Sequence, residues 1–213
     1  MAATIEKERT VAEVMNWTLL NDTASATPWL ETSQIDISAD VICIVHIDMA
    51  QCNTEAIGTE AKFIVWGSSG STDDDWHKIV SLGYGTTASN KIDFSKGVTS
   101  GEISVGIGDT TGIATQGKSV FIYDTSTLGN SQLNTLVDFS ANVALFLLDG
   151  ASRDYSTEDD ILCPTATTGN GVSQWNVEIP EFWAAKVTFH NTDADANYAC
   201  RVQRPFVTDY TSV

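Results

Sequence analysis

Histidines and clustered acidic residues are the side chains of this sequence whose types could do chemistry. His46 lies inside an apolar run, where a hydrogen-bonded core or interface histidine is a better interpretation than a catalytic base. His77 directly follows the three aspartates at 73–75, but a nucleophilic site there needs a Ser or Cys partner that the spacing does not identify. The sequence contains no GxSxG, HExxH, P-loop or dinucleotide-binding motif. We therefore expect no enzymatic activity and no cofactor.

A second kind of chemistry, cation binding, is suggested by residues 193–197. Asp193, Asp195 and Asn197 place oxygen ligands at alternate positions, as a calcium-binding loop does. An EF-hand loop also requires Gly at its sixth position and Glu at its twelfth, and these positions hold Tyr198 and Arg204. Acidic turn residues on a solvated loop are the preferred interpretation. The alternative is a weak cation site formed by Asp193, Asp195 and Asn197.

An aromatic residue offers a possible sugar-binding surface. The chain has six tryptophans, and the flat face of Trp76, directly after the aspartates, could stack on a sugar ring. A further hypothesis is a hydrolase, which needs a pocket with a perturbed carboxylate.

The four cysteines show neither a CxxC motif nor zinc-ligand spacing, so buried reduced thiols are favoured over a disulfide or a metal site.

Charge and hydropathy exclude several classes of protein. The formal net charge of the 213 residues is −17, with only 11 Lys and Arg, and a surface that follows phosphates needs clustered basic residues. The charged beginning lacks the apolar segment of a secretory signal, and no run of 18 apolar residues occurs. We therefore expect synthesis in a cytosol, no membrane contact and no nucleic-acid binding.

The elements that would position these residues are almost all strands. Short apolar or alternating runs follow one another, separated by Gly, Ser, Thr, Asn and Asp. They lie at 14–20, 34–37, 41–49, 61–66, 77–82, 91–94, 102–107, 119–124, 135–139, 143–148, 172–179, 184–190 and 198–202. This spacing predicts an all-β fold: an antiparallel β-sandwich or jelly-roll-like barrel with about a dozen strands and little helix.

Helix is expected in two short places only. The first dozen residues read as an arm or a turn of helix, with Thr4 as a possible cap, and residues 127–133 could form a helical turn. Without a Pro- or Gly-rich linker, the domain prediction is an N-terminal arm over 1–12 and a single β domain over 13–213.

The two ends of the chain carry the predicted interface. Ile5 is the main apolar residue of the first ten, and Arg201, Arg204 and Phe206 lie near the other end. Arginine and aromatic residues are enriched in interface hot spots. We expect one or both ends to be ordered against a neighbouring subunit of a homo-oligomer; frayed ends are the alternative.

Three segments resemble virion proteins of tailed bacteriophages, of the type that decorates the capsid. They are the loop Trp-Gly-Ser-Ser-Gly-Ser-Thr-Asp-Asp-Asp-Trp at 66–76, Val-Phe-Ile-Tyr-Asp-Thr-Ser-Thr-Leu at 120–128 with the strand ending Leu-Leu-Asp-Gly at 147–150, and 187–197 leading into 200–203. The resemblance implies many symmetric copies on a shell and a β-sandwich or barrel body with an extended arm. It implies a non-enzymatic decoration or auxiliary head protein that binds itself and the major capsid or other virion proteins. Its location would be the virion, after synthesis in the host cytoplasm. The alternative is a carbohydrate-binding β-sandwich module of a phage tail or surface fibre.

Overall fold

The structure is a computed structural model, and it describes most of the chain. The described residues are 4–8, 12–22, 28–38, 40–52, 61–70, 75–83, 89–93, 97–106, 119–140, 144–157, 159–164, 172–192 and 196–211.

Nearly all regular structure among the described residues is β-strand. The strands are β1 Thr4–Glu8, β2 Ala12–Leu20, β3 Trp29–Glu31, β4 Ile35–Asp36, β5 Asp40–Gln51, β6 Lys62–Ser68, β7 Trp76–Gly83, β8 Ser89–Asp93, β9 Ser104–Gly106, β10 Ser119–Tyr123, β11 Gln132–Ser140, β12 Ala144–Leu147, β13 Asp160–Pro164, β14 Val172–Ile179, β15 Ala184–His190 and β16 Tyr198–Thr211. One 3₁₀ turn, Leu128–Asn130, precedes β11. The predicted all-β antiparallel class is confirmed.

Two of the three sheets form a sandwich. In the central sheet the order is β14–β5–β16, and β1 and β2 both pair with the other edge of β16. In the second sheet the order is β7–β6–β15, and β3 and β4 share the outer edge of β15. Their facing side chains form the largest core, which includes Val45, Ile47, Phe63, Phe189 and Tyr198. Burial of this apolar surface is the main stabilising term of the fold.

The third sheet covers part of the opposite face of the central sheet. Its order is β8–β13–β10–β11–β12–β9, all from one contiguous stretch of chain between β7 and β14. Phe121 of β10 packs on Trp17 of β2, with ring centroids 4.4 Å apart, and Ala50 and Val172 belong to the same cluster. The far side of the third sheet has its own small core around Val105, Leu136 and Leu145.

Each predicted run overlaps a strand, and two of the burial patterns are confirmed. β14 buries Val177 and Ile179 and exposes Gln174, Asn176 and Glu178, as its alternation predicts. β5 is covered on both faces: Cys43, Val45, Ile47 and Met49 face the sandwich core, while Asp48 and Ala50 are buried on the other side. A helical turn in 127–133 is confirmed as the 3₁₀ turn.

For the first dozen residues the sequence predicts an arm or a turn of helix, and the helical turn is wrong for Thr4–Glu8. Residues Thr4–Glu8 form β1, whose register runs from Thr4 opposite Thr211 to Glu8 opposite Val207. A helix this short has too few internal hydrogen bonds to persist alone, whereas a strand partner supplies a full ladder. The division into an arm over 1–12 and one domain over 13–213 stays a prediction.

No helix in the described part of the chain is long and apolar enough to cross a membrane.

Candidate functional site

A buried ion-pair cluster lies on the face of the central sheet that looks away from the sandwich core. Asp48 of β5 is fully buried, and its Oδ2 accepts hydrogen bonds from Nε and Nη2 of Arg201 at 2.8 and 2.7 Å. Its Oδ1 accepts from Nε2 of Gln174 at 2.9 Å and lies 3.0 Å from Nε2 of His46. The register of β14, β5 and β16 brings these four side chains together.

The pKa values of Asp48 and His46 are shifted by their neighbours. Burial by itself raises the pKa of Asp48, but the His46 hydrogen bond and the charge of Arg201 outweigh it and hold that pKa below its usual value. The hydrogen bond to Asp48 raises the pKa of His46, against the opposing effect of burial. A buried carboxylate that lost its cation would destabilise the fold by about 3–5 kcal/mol.

The cluster connects three strands of the central sheet and contacts the tryptophan that packs on the third sheet. The guanidinium carbon of Arg201 lies 4.6 Å from the ring centroid of Trp17, the residue that packs against the third sheet. Both ring nitrogens of His46 have partners, because Nδ1 is 2.8 Å from Oδ1 of Asn176. His46 is hydrogen-bonded, as expected, and its side chain is 20% exposed; its place in an interface stays a prediction.

His77 lies in an arrangement that does not fit nucleophilic catalysis. Its Nε2 is 3.0 Å from Oδ1 of Asp75, and both side chains are more than half exposed. Ser69 donates its hydroxyl hydrogen bond to the carboxylate of Asp75. A catalytic triad needs the histidine between the hydroxyl and the carboxylate, and here the carboxylate is in the middle.

The cysteines whose side chains the structure describes are buried. They are Cys43, Cys52 and Cys200, and all three are buried thiols, as predicted. Burial raises the pKa of Cys52 to about 12, and it raises the pKa of Cys200 as well. Neither thiol is therefore a nucleophile at neutral pH.

The cation-site prediction falls largely outside the described residues. Asp193 and Asp195 are not among them, and Oδ1 of Asn197 accepts a hydrogen bond from the backbone N–H of Asp22 at 2.7 Å. The described part of the chain holds no group of three or more His, Cys, Asp or Glu arranged to bind a metal ion. The cation site stays a prediction.

The predicted interface residues lie in strands of the central sheet. Ile5 is in β1, and Arg204 and Phe206 are in β16; the side chains of Ile5 and Phe206 are outside the described set. Arg201 makes the ion pair with Asp48, and Nη1 of Arg204 donates to the carbonyl oxygen of Asp36 at 3.2 Å. Their role in an interface stays a prediction.

Exposed tryptophans are found at positions that the sequence did not single out. Trp76 is only partly exposed, and the ammonium group of Lys186 lies 4.6 Å from its ring centroid, over one of its faces. Trp29 and Trp183 are exposed by 57% and 55%. Trp183 lines a cleft of about 330 Å³ together with Gln34, Asp36, Ser38 and Ala184. A single tryptophan in a short strand, such as Trp29, or in a turn, such as Trp183, carries no sequence signal that separates an exposed ring from a buried one.

An apolar patch on the third sheet is a further surface that sequence reasoning missed. Val137 and Leu148 are exposed by 45% and 63%. The N–H of Leu148 donates to the carbonyl of Thr135, and Val137 lies two residues further along β11, so both side chains lie on the face opposite the buried Leu136 and Leu147. We refer to Val137 and Leu148 as the apolar patch. Ile103 is exposed by 53% as well, but it lies opposite Leu147 and therefore on the other face.

Comparisons with known proteins find weak structural likeness only. No protein-family model matches the sequence, and no curated protein matches it. The fold is similar to three solved structures from infectious bursal disease virus. The first is the Gx strain, with a TM-score of 0.22 and 8% identity, and the match covers 99% of this chain and 85% of that chain. The second is the Gt strain, with a TM-score of 0.24 and 7% identity, covering 98% of this chain and 81% of that chain. The third is the VP2 subviral particle, with a TM-score of 0.21 and 8% identity, covering 98% of this chain and 86% of that chain. TM-scores this low carry no argument about function.

Proposed function

We propose that this chain is a non-enzymatic structural protein of a virus particle. The specific type is the capsid decoration or auxiliary protein of tailed bacteriophages, which associates with its own copies and with the shell. The observation that carries the proposal is the apolar patch, a surface whose exposure is explained by a protein partner.

The apolar patch is not needed to stabilise the sheet that bears it. The opposite side of β11 and β12 already buries Leu136, Leu145 and Leu147 in the core of the third sheet. The patch instead leaves the aliphatic side chains of Val137 and Leu148, on neighbouring segments of one face, in contact with water. Exposed apolar surface of this kind supports a protein–protein contact site.

Two long strands at the sheet edges support self-association. Among the described strands, β7 pairs only with β6 and β14 only with β5, and each has eight residues. Their outer N–H and C=O groups can pair with a strand of another chain. Symmetric oligomers commonly satisfy such edges by pairing them.

The charge of the chain agrees with a protein present in many copies. A net charge of −17 keeps separate copies soluble and leaves a basic partner as the favoured docking surface.

The arrangement of the histidines also supports a non-enzymatic role. His46 is held by Asp48 and Asn176, and the carboxylate of Asp75 separates His77 from Ser69.

Sedimentation velocity of the full chain and of Leu148→Glu tests this function. We expect the wild-type chain to form oligomers and the variant to sediment as a monomer, because a carboxylate in the patch is costly to bury. Ser33→Glu adds the same charge at an exposed position of the second sheet, on the other side of the central sheet from the patch, and serves as the control, with oligomers expected to remain. Circular dichroism should show the same β spectrum for all three proteins. A wild-type chain that stays monomeric at high concentration contradicts the proposal.

A further inference from the structure

The cleft beside Trp183 has a rigid frame on both sides. The backbone N–H of Trp183 donates to the carbonyl of Ser68 at 2.8 Å, and its carbonyl accepts from the N–H of Ile37 at 3.2 Å. The residue thus links the end of β6 to the segment after β4. A fixed backbone lowers the entropy that is lost when the side chain contacts a ligand.

Phe182, the residue before Trp183, explains why the indole of Trp183 points outward. Phe182 packs against the sandwich core and lies so close to Gly67 that a Cβ on Gly67 would be 2.5 Å from the ring. Its ring also stacks on His77, with centroids 6.4 Å apart. With Phe182 held inside, Trp183 keeps an exposed ring at the mouth of the cleft.

Polar side chains line the cleft opposite the indole. Gln34, Asp36 and Ser38 alternate with the buried Ile35 and Ile37, so the period of an extended chain places all three polar groups on the outer side. The wall therefore offers an amide, a carboxylate and a hydroxyl, which together provide donors and acceptors.

The carboxylate of the cleft is ionised at neutral pH. Oδ1 of Asp36 accepts hydrogen bonds from the N–H and the hydroxyl of Ser38 at 3.0 and 2.8 Å, and these bonds lower the pKa of Asp36. A fixed negative charge in a chain of net charge −17 disfavours anionic ligands.

We propose that this cleft binds a neutral saccharide, with the indole of Trp183 as the stacking surface and Gln34, Asp36 and Ser38 as partners of the sugar hydroxyls. A sugar ring has an apolar face that can lie on an aromatic ring and an edge of hydroxyls that can both donate and accept. A volume of about 330 Å³ lies at the small end of ligand sites and suits a short saccharide.

Three features favour a saccharide over a protein segment. Of the described residues that line the cleft, three are polar and one is aromatic, and the cleft is small. The centre of a protein–protein interface is larger and more apolar. The inference is independent of the proposed structural function, since a virion protein or any other protein could carry such a cleft.

The test is binding of the full chain to an array of neutral and sialylated oligosaccharides, followed by titration of the best neutral ligand. We expect Trp183→Ala to weaken binding by about tenfold or more. Trp29→Ala is the matched control, because Trp29 is exposed to the same degree but lies opposite His190, at the other end of β15. It should bind like the wild type.

A second variant separates hydroxyl recognition from stacking. Asp36→Asn keeps the shape of the side chain and should weaken binding several-fold, with melting temperatures confirming that every variant is folded. The proposal is overturned if no neutral oligosaccharide binds at millimolar concentration, if sialylated ligands bind best, or if Trp183→Ala binds normally. Loss of self-association in Trp183→Ala without any saccharide binding overturns it too, and identifies the cleft as a protein contact.

Discussion

At the scale of single residues, the cluster around Asp48 makes the stability of the fold depend on pH. The pKa of His46 is raised above its ordinary value of 6.5 by its hydrogen bond to Asp48. A group whose pKa is higher in the folded state stabilises the fold fully below the unfolded pKa, and this contribution is lost as pH rises through the folded pKa. His46 thus stabilises the protein most below about pH 6.5.

We therefore predict that His46→Gln removes a pH-dependent part of the stability. Between about pH 6 and pH 8 the melting temperature of the wild type should fall relative to that of the variant. His77→Gln is the control, because His77 forms its ion pair with Asp75 at the surface, where such pairs contribute little. Equal slopes of melting temperature against pH for the wild type and His46→Gln would show that the Asp48 contact does not act as described.

Only part of this cluster could be predicted from the sequence. A histidine in an apolar run indicates a hydrogen-bonded side chain, and His46 is one. Its connection to Arg201 could not be predicted, because Arg201 lies 153 residues from Asp48. The two meet through the register between β5 and β16, which local residue patterns do not specify.

At the scale of the elements, the approach of the Phe182 turn to β6 depends on the absence of a side chain at Gly67. We predict that Gly67→Ala lowers the free energy of unfolding by about 1–3 kcal/mol, since its Cβ would overlap the aromatic ring. Urea denaturation measures this change. Gly83→Ala is the control: its Cβ would meet nothing closer than the carbonyl oxygen of Ala61 at 3.8 Å, and its stability should change little.

The Gly67→Ala variant also tests whether the position of Phe182 affects the exposed indole of Trp183. A shifted Phe182 moves Trp183, so Gly67→Ala should also weaken any saccharide bound in the cleft, whereas Gly83→Ala should not. A Gly67→Ala protein as stable as the wild type would mean that the ring moves aside without cost.

Elements with a local signal were predictable, and those defined by distant partners were not. The alternation in 172–179 and the apolar run in 41–49 gave the correct burial for β14 and β5. The charged sequence of β1 resembles a helix start, but its conformation is set by pairing with 207–211 at the other end of the chain. β3 has three residues, too few for a periodic signal.

At the scale of the whole molecule, the third sheet is the feature that local sequence patterns did not predict. A two-sheet sandwich or a barrel accounts equally well for a series of short strands with turn residues between them. The strands from β8 to β13 pair with one another, and their sheet covers only part of the central sheet. That partial cover leaves the apolar patch exposed, which the proposed assembly then uses.

The two ends of the chain are expected to contribute to assembly as well. Among the described strands, β1 pairs with the last part of β16, opposite Val207 to Thr211, whereas the buried core residues of β16 lie between Tyr198 and Val202. Those core residues stay paired with β2 and β5 when β1 is absent. We therefore predict that deletion of residues 1–10 weakens subunit association by about tenfold or more, equivalent to about 1.4 kcal/mol.

The body of the molecule should tolerate this deletion. Urea denaturation monitored by circular dichroism is expected to change little, because the lost strand lies far from the core residues of β16 and pairs with a single neighbour. Replacing Arg204 and Phe206 with Ala tests the other end of the same surface, with sedimentation velocity as the measurement for both changes. If the oligomers persist unaltered in both proteins, the ends of the chain serve only to complete the central sheet, and association depends on the apolar patch and the free edges alone.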